Sequence, residues 1–189
     1  MKRAALALLI LAAACAVHRP AREGAHPMPS ERVRGICRQV ESLGRSGDWL
    51  VVRGTHPTDD LVSGFTNLPV SHVGVYDKEK GMVIEAEGVG VHASKLPDFV
   101  AKTTRLMILR PIWADGGAGE KAVEKARSLV GRPYDYWGIV GLNQPDAFYC
   151  SELAIVAYRE FIREEDKVPP VVAPGQLYAW GRVVYDSGP

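Results

Sequence analysis

The chain is poor in several things at once. Its 189 residues hold only three cysteines, Cys15, Cys37 and Cys150. Its five histidines, His18, His26, His56, His72 and His92, are scattered rather than clustered. No C-x-x-C or H-E-x-x-H spacing occurs, so no metal and no other cofactor is expected. Charge of one sign is missing too. The 23 Lys and Arg against 22 Asp and Glu leave a net charge of +1, which removes the electrostatic case for a nucleic-acid partner. There is no internal repeat, which excludes a solenoid. No apolar run approaches the ~20 residues that a membrane-spanning helix needs. What remains is ordinary for a globular protein: 47% hydrophobic and 24% charged residues, in a length that suits one domain with a core.

The first residues read as a targeting segment. Lys2 and Arg3 are followed by a wholly apolar run, Ala4 to Ala14, too short to span a bilayer. The run ends in "LAAAC", with small residues just before Cys15. This resembles the lipobox of bacterial lipoproteins, although Ala12 stands where Leu or Val is usual. Two readings are open: lipidation of Cys15 as the mature N-terminus, or ordinary signal cleavage after Ala14. The first is the expectation, with residues 1–14 as signal peptide and 15–29 as lipid attachment and tether. The Pro- and Ala-rich "AVHRPAREGAHPMP" has no apolar period, as a tether requires. Ala16 rather than Asp after the anchor implies outer-membrane retention, facing the periplasm, in a host with two membranes.

Residues 30–189 carry the domain. In "SERVRGICRQVESLG", Val33, Ile36, Cys37, Val40 and Leu43 share one helical face, with Ser30 as the expected N-cap. Cys37 is thus a small buried apolar residue; a disulfide to Cys150 is the rival account, since exported proteins oxidise thiols in pairs. Strands follow: "GDWLVVRG", "LPVSHVGVYD", "GMVIEAEG", "VGVHAS" and "TRLMILRP". Alternation puts Val73 and Val75 on one face, with His72, Gly74 and Tyr76 on the other. It puts Val83 and Glu85 together, and Ile84 and Ala86 opposite. "SKLPDFV" reads as a short helix or turn. "GEKAVEKARSLVG" is an amphipathic helix ended by Gly131. "YCSELAIVAYREFIREE" reads as one further helix, and "APGQLYAWGRVVYDSG" as a turn and a last strand. Strands in the middle with helices around them give an α+β class with a mostly antiparallel sheet.

Cys150 stands at the mouth of a helix. The free N–H groups and partial positive charge there favour a thiolate and can stabilise an oxyanion. A nucleophilic cysteine needs a histidine base, and the histidine needs an orienting acceptor. His72 lies in an apolar strand and Glu85 in the next one. The two can share a face of a hairpin if the register allows it. Taken singly, each has a plainer reading: a structural histidine, a solvent-facing glutamate, a core cysteine. Together they are the set that acyl chemistry requires.

The segment "GRPYDYWGIVGLNQPDAFYCSELAIVAY" resembles the nucleophile segment of the NlpC-type papain-like cysteine hydrolases. Their pattern is G-x-P-Y-x-W-G, then D/Y-C-S ahead of a helix. Gly131, Pro133, Tyr134, Trp137, Gly138, Cys150 and Ser151 match it, with Asp135 and Tyr136 making one extra residue between Tyr and Trp. The histidine precedes the cysteine here, as in the circularly permuted branch of YiiX/YebB-like bacterial lipoproteins and lecithin–retinol acyltransferases. The bacterial branch is the better match, with "HVGVY", "VIEA", "YCSEL", "LRP" at Leu109–Pro111 and "PGQL" at Pro174–Leu177. The likeness spans residues 47–180. It implies a permuted papain-like α+β fold and assigns Cys150 as nucleophile, His72 as general base and Glu85 as the residue orienting it. Tyr134 is implied to hold the substrate carbonyl or oxyanion. The acyltransferase branch uses a histidine as third member, which makes His92 the alternative to Glu85. The expected function is an envelope-anchored cysteine hydrolase of amide bonds, with cell-wall peptides as substrates and the membrane reached through the lipid on Cys15. Lipid acyl hydrolysis or transfer is the second reading, and a non-catalytic binding lipoprotein the third.

Overall fold

Apolar residues occur on both alternating sets of the central strands, and the sheet they build is covered on both faces. The computed structural model describes residues 28–54, 70–138, 141–142 and 144–188. The expected signal segment, Cys15 and the tether up to residue 27 lie outside these residues; Met28, at the tether's end, is buried in the core of the face that the first helix covers. The elements run α1 (Ser30–Leu43), β1 (Trp49–Gly54), β2 (His72–Asp77), β3 (Met82–Glu87), β4 (Gly90–Lys95) and α2 (Leu96–Ala101). They continue with β5 (Thr103–Pro111), α3 (Ala118–Ser128), α4 (Cys150–Ala157) and β6 (Gly181–Asp186). The six strands form one antiparallel sheet in the order β4-β3-β2-β1-β5-β6. This is the expected α+β class, an antiparallel sheet packed against helices. Among the described residues no helix is long and apolar enough to cross a membrane.

The alternation read from the sequence sorts the two cores correctly. Val73, Val75, Ile84 and Ala86 pack with Trp49, Val51 and residues of α3 and α4 on one face. Tyr76 and Val83 pack with Leu50, Val52 and residues of α1 and α2 on the other. Each such side chain contributes about 1.5–3 kcal/mol relative to exposure. Val33, Ile36, Cys37 and Val40 of α1 are buried as expected, whereas Leu43 at its end is exposed. Cys37 and Cys150 are both free thiols, so the disulfide reading is set aside.

Two boundaries differ from expectation. Ser30 is not a cap: it lies inside α1, and no side chain caps that end. The Pro29 carbonyl accepts the Val33 N–H at 3.0 Å, so the ladder starts one residue earlier, from the restricted backbone of a proline. The sequence pattern carries the helix that begins at Cys150 on through "YREFIREE", but α4 stops at Ala157. Tyr158 ends it. Its fully buried ring stands edge-on to Trp49 at 5.9 Å, and its hydroxyl donates to the Gly47 carbonyl at 3.0 Å. Those partners pull the backbone off the helical path, a tertiary demand that overrides helical propensity.

Candidate active site

Register answers the question that the sequence leaves open. In the β2–β3 hairpin Gly74 pairs directly with Glu85. His72, two residues before Gly74, therefore lies diagonally across from Glu85 on the same face. Gly74 matters for this. A Cβ there would come within 2.3 Å of Val83 Cγ1 and 3.4 Å of the Phe99 ring, the ring that lies 6.0 Å from His72. Phe99 thus uses the space that glycine leaves and walls the imidazole on one side.

His72 Nε2–H donates to Glu85 Oε2 at 2.8 Å. That leaves Nδ1 for the Cys150 side chain, whose interaction with the imidazole raises its pKa. The three groups form one chain: thiol, imidazole, carboxylate. Glu85 is fully buried, not solvent-facing. A buried carboxylate is costly unless every lone pair is answered. Here Ser94 Oγ–H donates to Oε1 at 2.5 Å and the Lys102 ammonium donates to the same oxygen at 3.2 Å. Burial alone pushes Glu85 up, but the hydrogen bond and charge of His72, the Ser94 hydroxyl and the Lys102 charge outweigh it and bring the carboxyl to about 2. Burial likewise disfavours the His72 imidazolium. Hydrogen bonds to Cys150 and Glu85, with the charges of both, win and push it up to about 10. The site is therefore built to hold an imidazolium beside a sulfur.

The sulfur is positioned from both sides. Cys150 opens α4, and the Glu152 carboxylate accepts the Tyr149 N–H at 3.3 Å. Ser151 Oγ–H donates to the Val172 carbonyl at 2.6 Å, and the Val172 N–H donates to the Tyr149 hydroxyl at 3.2 Å. One backbone unit, Val172, thus ties down the residues before and after the cysteine.

Tyr134 is brought to the same place by a short antiparallel contact. The Val91 N–H donates to the Arg132 carbonyl and the Gly131 N–H to the Val91 carbonyl, both at 2.8 Å. Gly131 has φ 91°, which favours glycine. Tyr134 packs against the core that includes Cys150, and burial followed by the charge of Cys150 raises its hydroxyl. The inserted Asp135 organises the next turn. It is fully buried and accepts the N–H groups of Trp137, Gly138 and Gln144 at 3.0, 2.8 and 2.9 Å. A Cβ on Gly138 would lie 2.6 Å from Asp135 Oδ2, so the matched glycine is sterically required.

His92 does not stand in the place of Glu85. Its Nδ1–H donates to the Gly90 carbonyl at 3.0 Å, and its Nε2 lies 3.5 Å from both Glu85 Oε1 and Glu87 Oε2. Sequence reasoning missed Ser94 and Lys102. Ser94 had a signal: in the β3–β4 register Glu85 pairs with His92, so Ser94 falls on the face of Glu85. Lys102 had none, because it reaches the site from the end of α2. Among the described residues, His72, Glu85 and Glu87 have ligating atoms within 4.8 Å of one another. These residues do not fit a divalent ion as they stand. The Lys102 ammonium already lies 3.2 Å from Glu85 Oε1 and 3.0 Å from Glu87 Oε1, and both Glu85 oxygens are engaged.

A cysteine at a helix start, a histidine on an earlier strand and an antiparallel sheet between helical layers describe a permuted papain-like hydrolase. The family model of the permuted papain-like amidases (YaeF/YiiX, C92 family) matches residues 50–170, and the chain belongs to that family. It is accordingly a cysteine hydrolase of the amidase type. Among solved structures, the crystal structure of metalloprotein yiiX from Escherichia coli O157:H7 is similar in fold. It shares 22% identity over 64% of this chain and 67% of that one, with a TM-score of 0.54. No curated protein matches the sequence.

Proposed function

We propose that Cys150 is the nucleophile of an envelope-anchored amidase acting on cell-wall peptides, with His72 as base and Glu85 as its orienting partner. The observation that carries this is the chain of contacts from Cys150 through His72 to the buried Glu85. In the reaction the thiolate attacks the amide carbonyl. The N–H groups at the start of α4 and the Tyr134 hydroxyl receive the oxyanion. The C–N bond breaks as the imidazolium passes its proton to the leaving amine, and a thioester remains on Cys150. Neutral His72 then takes a proton from water, whose oxygen displaces the sulfur and releases the acid. Glu85 holds His72 in the tautomer that keeps Nδ1 toward the sulfur.

The yiiX neighbour is described as a metalloprotein. No step here is routed through a metal, because Lys102 fills the place that Glu85 and Glu87 offer. The lipid-directed reading draws on a different observation. Val89, Tyr136, Trp137 and Leu142 are exposed, and Tyr136 is tied to the β3–β4 turn through the Gly88 carbonyl at 2.9 Å. An acyl chain finds apolar contact on such side chains. The lipid on Cys15 and outer-membrane retention belong to the same proposal, resting on "LAAAC". Incubation of wild type and Cys150→Ala with cell-wall fragments and with lipid extracts, read by mass spectrometry, tests it. New peptide termini with wild type alone are expected. Products from lipid alone select the second reading, and turnover by Cys150→Ala refutes the nucleophile.

A further inference from the structure

A carboxylate that must present one oxygen to a histidine needs its other oxygen held, or the group rotates. Glu85 Oε2 faces His72, and Oε1 carries the Ser94 hydroxyl and the Lys102 ammonium. Lys102 is the residue after α2, and it enters β5 directly, so its backbone is held on both sides. Its ammonium also bridges to Glu87 Oε1 at 3.0 Å. Glu85 and Glu87 lie two apart on β3 and point to one face. Two carboxylates side by side disfavour ionisation of both unless a cation sits between them. Two sources could supply that cation, a metal or a side chain, and the atoms of His72, Glu85 and Glu87 are near enough for a metal to bind. A metal there would draw on His72 and Glu85 themselves, and so compete with the contact from His72 to Glu85.

We propose that Lys102 is a positioning residue for Glu85, its ammonium standing between Glu85 and Glu87 in the place a divalent cation would take. It keeps the Glu85 carboxylate ionised and aligned on His72, and it denies the cluster to metal. This rests on the reading of Cys150, His72 and Glu85 as one relay. The charges balance: Glu85 and Glu87 are answered by the Lys102 ammonium and by the His72 imidazolium. Lys102 is partly exposed, so its effect is graded rather than absolute.

The test uses the full chain as wild type, Lys102→Met, Lys102→Gln and Lys102→Arg. The first readout is the pH profile of Cys150 alkylation by iodoacetamide, resolved by peptide mapping. In Lys102→Met and Lys102→Gln the rate at neutral pH should fall roughly 3- to 10-fold and the acid limb should move up by about half to one pH unit. Lys102→Arg should restore both, because it returns the charge. The second readout is binding of manganese(II), a cation suited to carboxylates, followed by loss of the free-ion paramagnetic resonance signal. The two neutral variants should bind it at least about tenfold more tightly than wild type, in line with the removal of one adjacent positive charge. Superimposable pH profiles in all four proteins overturn the positioning role, and equal manganese binding overturns the exclusion of metal. If wild-type Cys150 alkylates no faster than in His72→Ala, the relay itself fails, whatever Lys102 does.

Discussion

Replacing Glu85 by glutamine keeps the size of the side chain and removes its charge, and the surroundings of this residue make the outcome calculable. The carboxylate accepts three donors: His72 Nε2–H, Ser94 Oγ–H and Lys102 Nζ–H. An amide offers one oxygen and one NH₂ in their place. If the oxygen stays on His72, the NH₂ meets the Lys102 ammonium, a donor against a donor. If it turns to Ser94 and Lys102, the NH₂ meets His72 and forces Nε2 to accept. The ring proton then moves to Nδ1, on the side of the sulfur, and the base is lost. In the first case a charge-assisted hydrogen bond becomes a neutral one, a loss of about 1–2 kcal/mol, or roughly 5- to 30-fold in rate. In the second, the cost of a wrong tautomer in a comparable triad reaches ~10⁴. The variant should therefore lose at least about fivefold in Cys150 alkylation at pH 7, and less than His72→Ala does if the oxygen stays on His72. Alkylation by iodoacetamide, with Cys150 read by peptide mapping, measures both without knowledge of the substrate. A Glu85→Gln protein within twofold of wild type would refute the reasoning, since a fully buried carboxylate on an imidazole cannot be lost for free.

Stability should follow pH through the same pair. His72 is raised from 6.5 to about 10, so its contribution is fully present below pH 6.5 and is lost as pH rises through 10. Glu85 is lowered from 4.5 to about 2, so its contribution is present above pH 4.5 and is lost as pH falls toward 2. Chemical denaturation from pH 3 to 10 should show both losses, and Glu85→Gln should flatten the acid side. Intact mass of the exported protein should show a lipid on Cys15; an N-terminus at Cys15 or later without lipid would end the anchor proposal. Asp135→Ala leaves three backbone N–H groups without their acceptor, and should lower melting stability by about 2–3 kcal/mol and slow turnover, since Tyr134 precedes the affected turn. Unchanged melting in that variant would show that water replaces the carboxylate.

The strand pair that carries His72 and Glu85 was legible because alternation of period two sorts side chains by face, whatever the partner strands are. Cys150 was legible because a cysteine ahead of an apolar helical run has a chemical reason to be there. What was not legible depends on distant contacts. Tyr158 leaves the helix because Trp49 and the Gly47 carbonyl, both more than 100 residues earlier, claim it. The presence of Asp135 was visible as an extra residue in the motif, but its purpose appears only when the turn it holds is folded. Lys102 looks like any surface lysine until α2 packs against the sheet. The shared face of Glu85 and Ser94 was implicit in the alternation, and only the register between β3 and β4 made it explicit.

The tie from Tyr149 and Ser151 to Val172 has a consequence for synthesis. The base and its orienting partner sit in one hairpin, residues 72–87, which leaves the ribosome early. The cysteine follows some sixty residues later, and the backbone unit that fixes its helix start comes later still. A nascent chain carrying all three reacting groups therefore still lacks the clasp that aims the sulfur at the histidine. Aiming of the thiol thus waits for the segment around Val172, wherever the chain folds. A truncated product ending before Val172 should hold Cys150, His72 and Glu85 yet lack the tie that aims the sulfur at the imidazole.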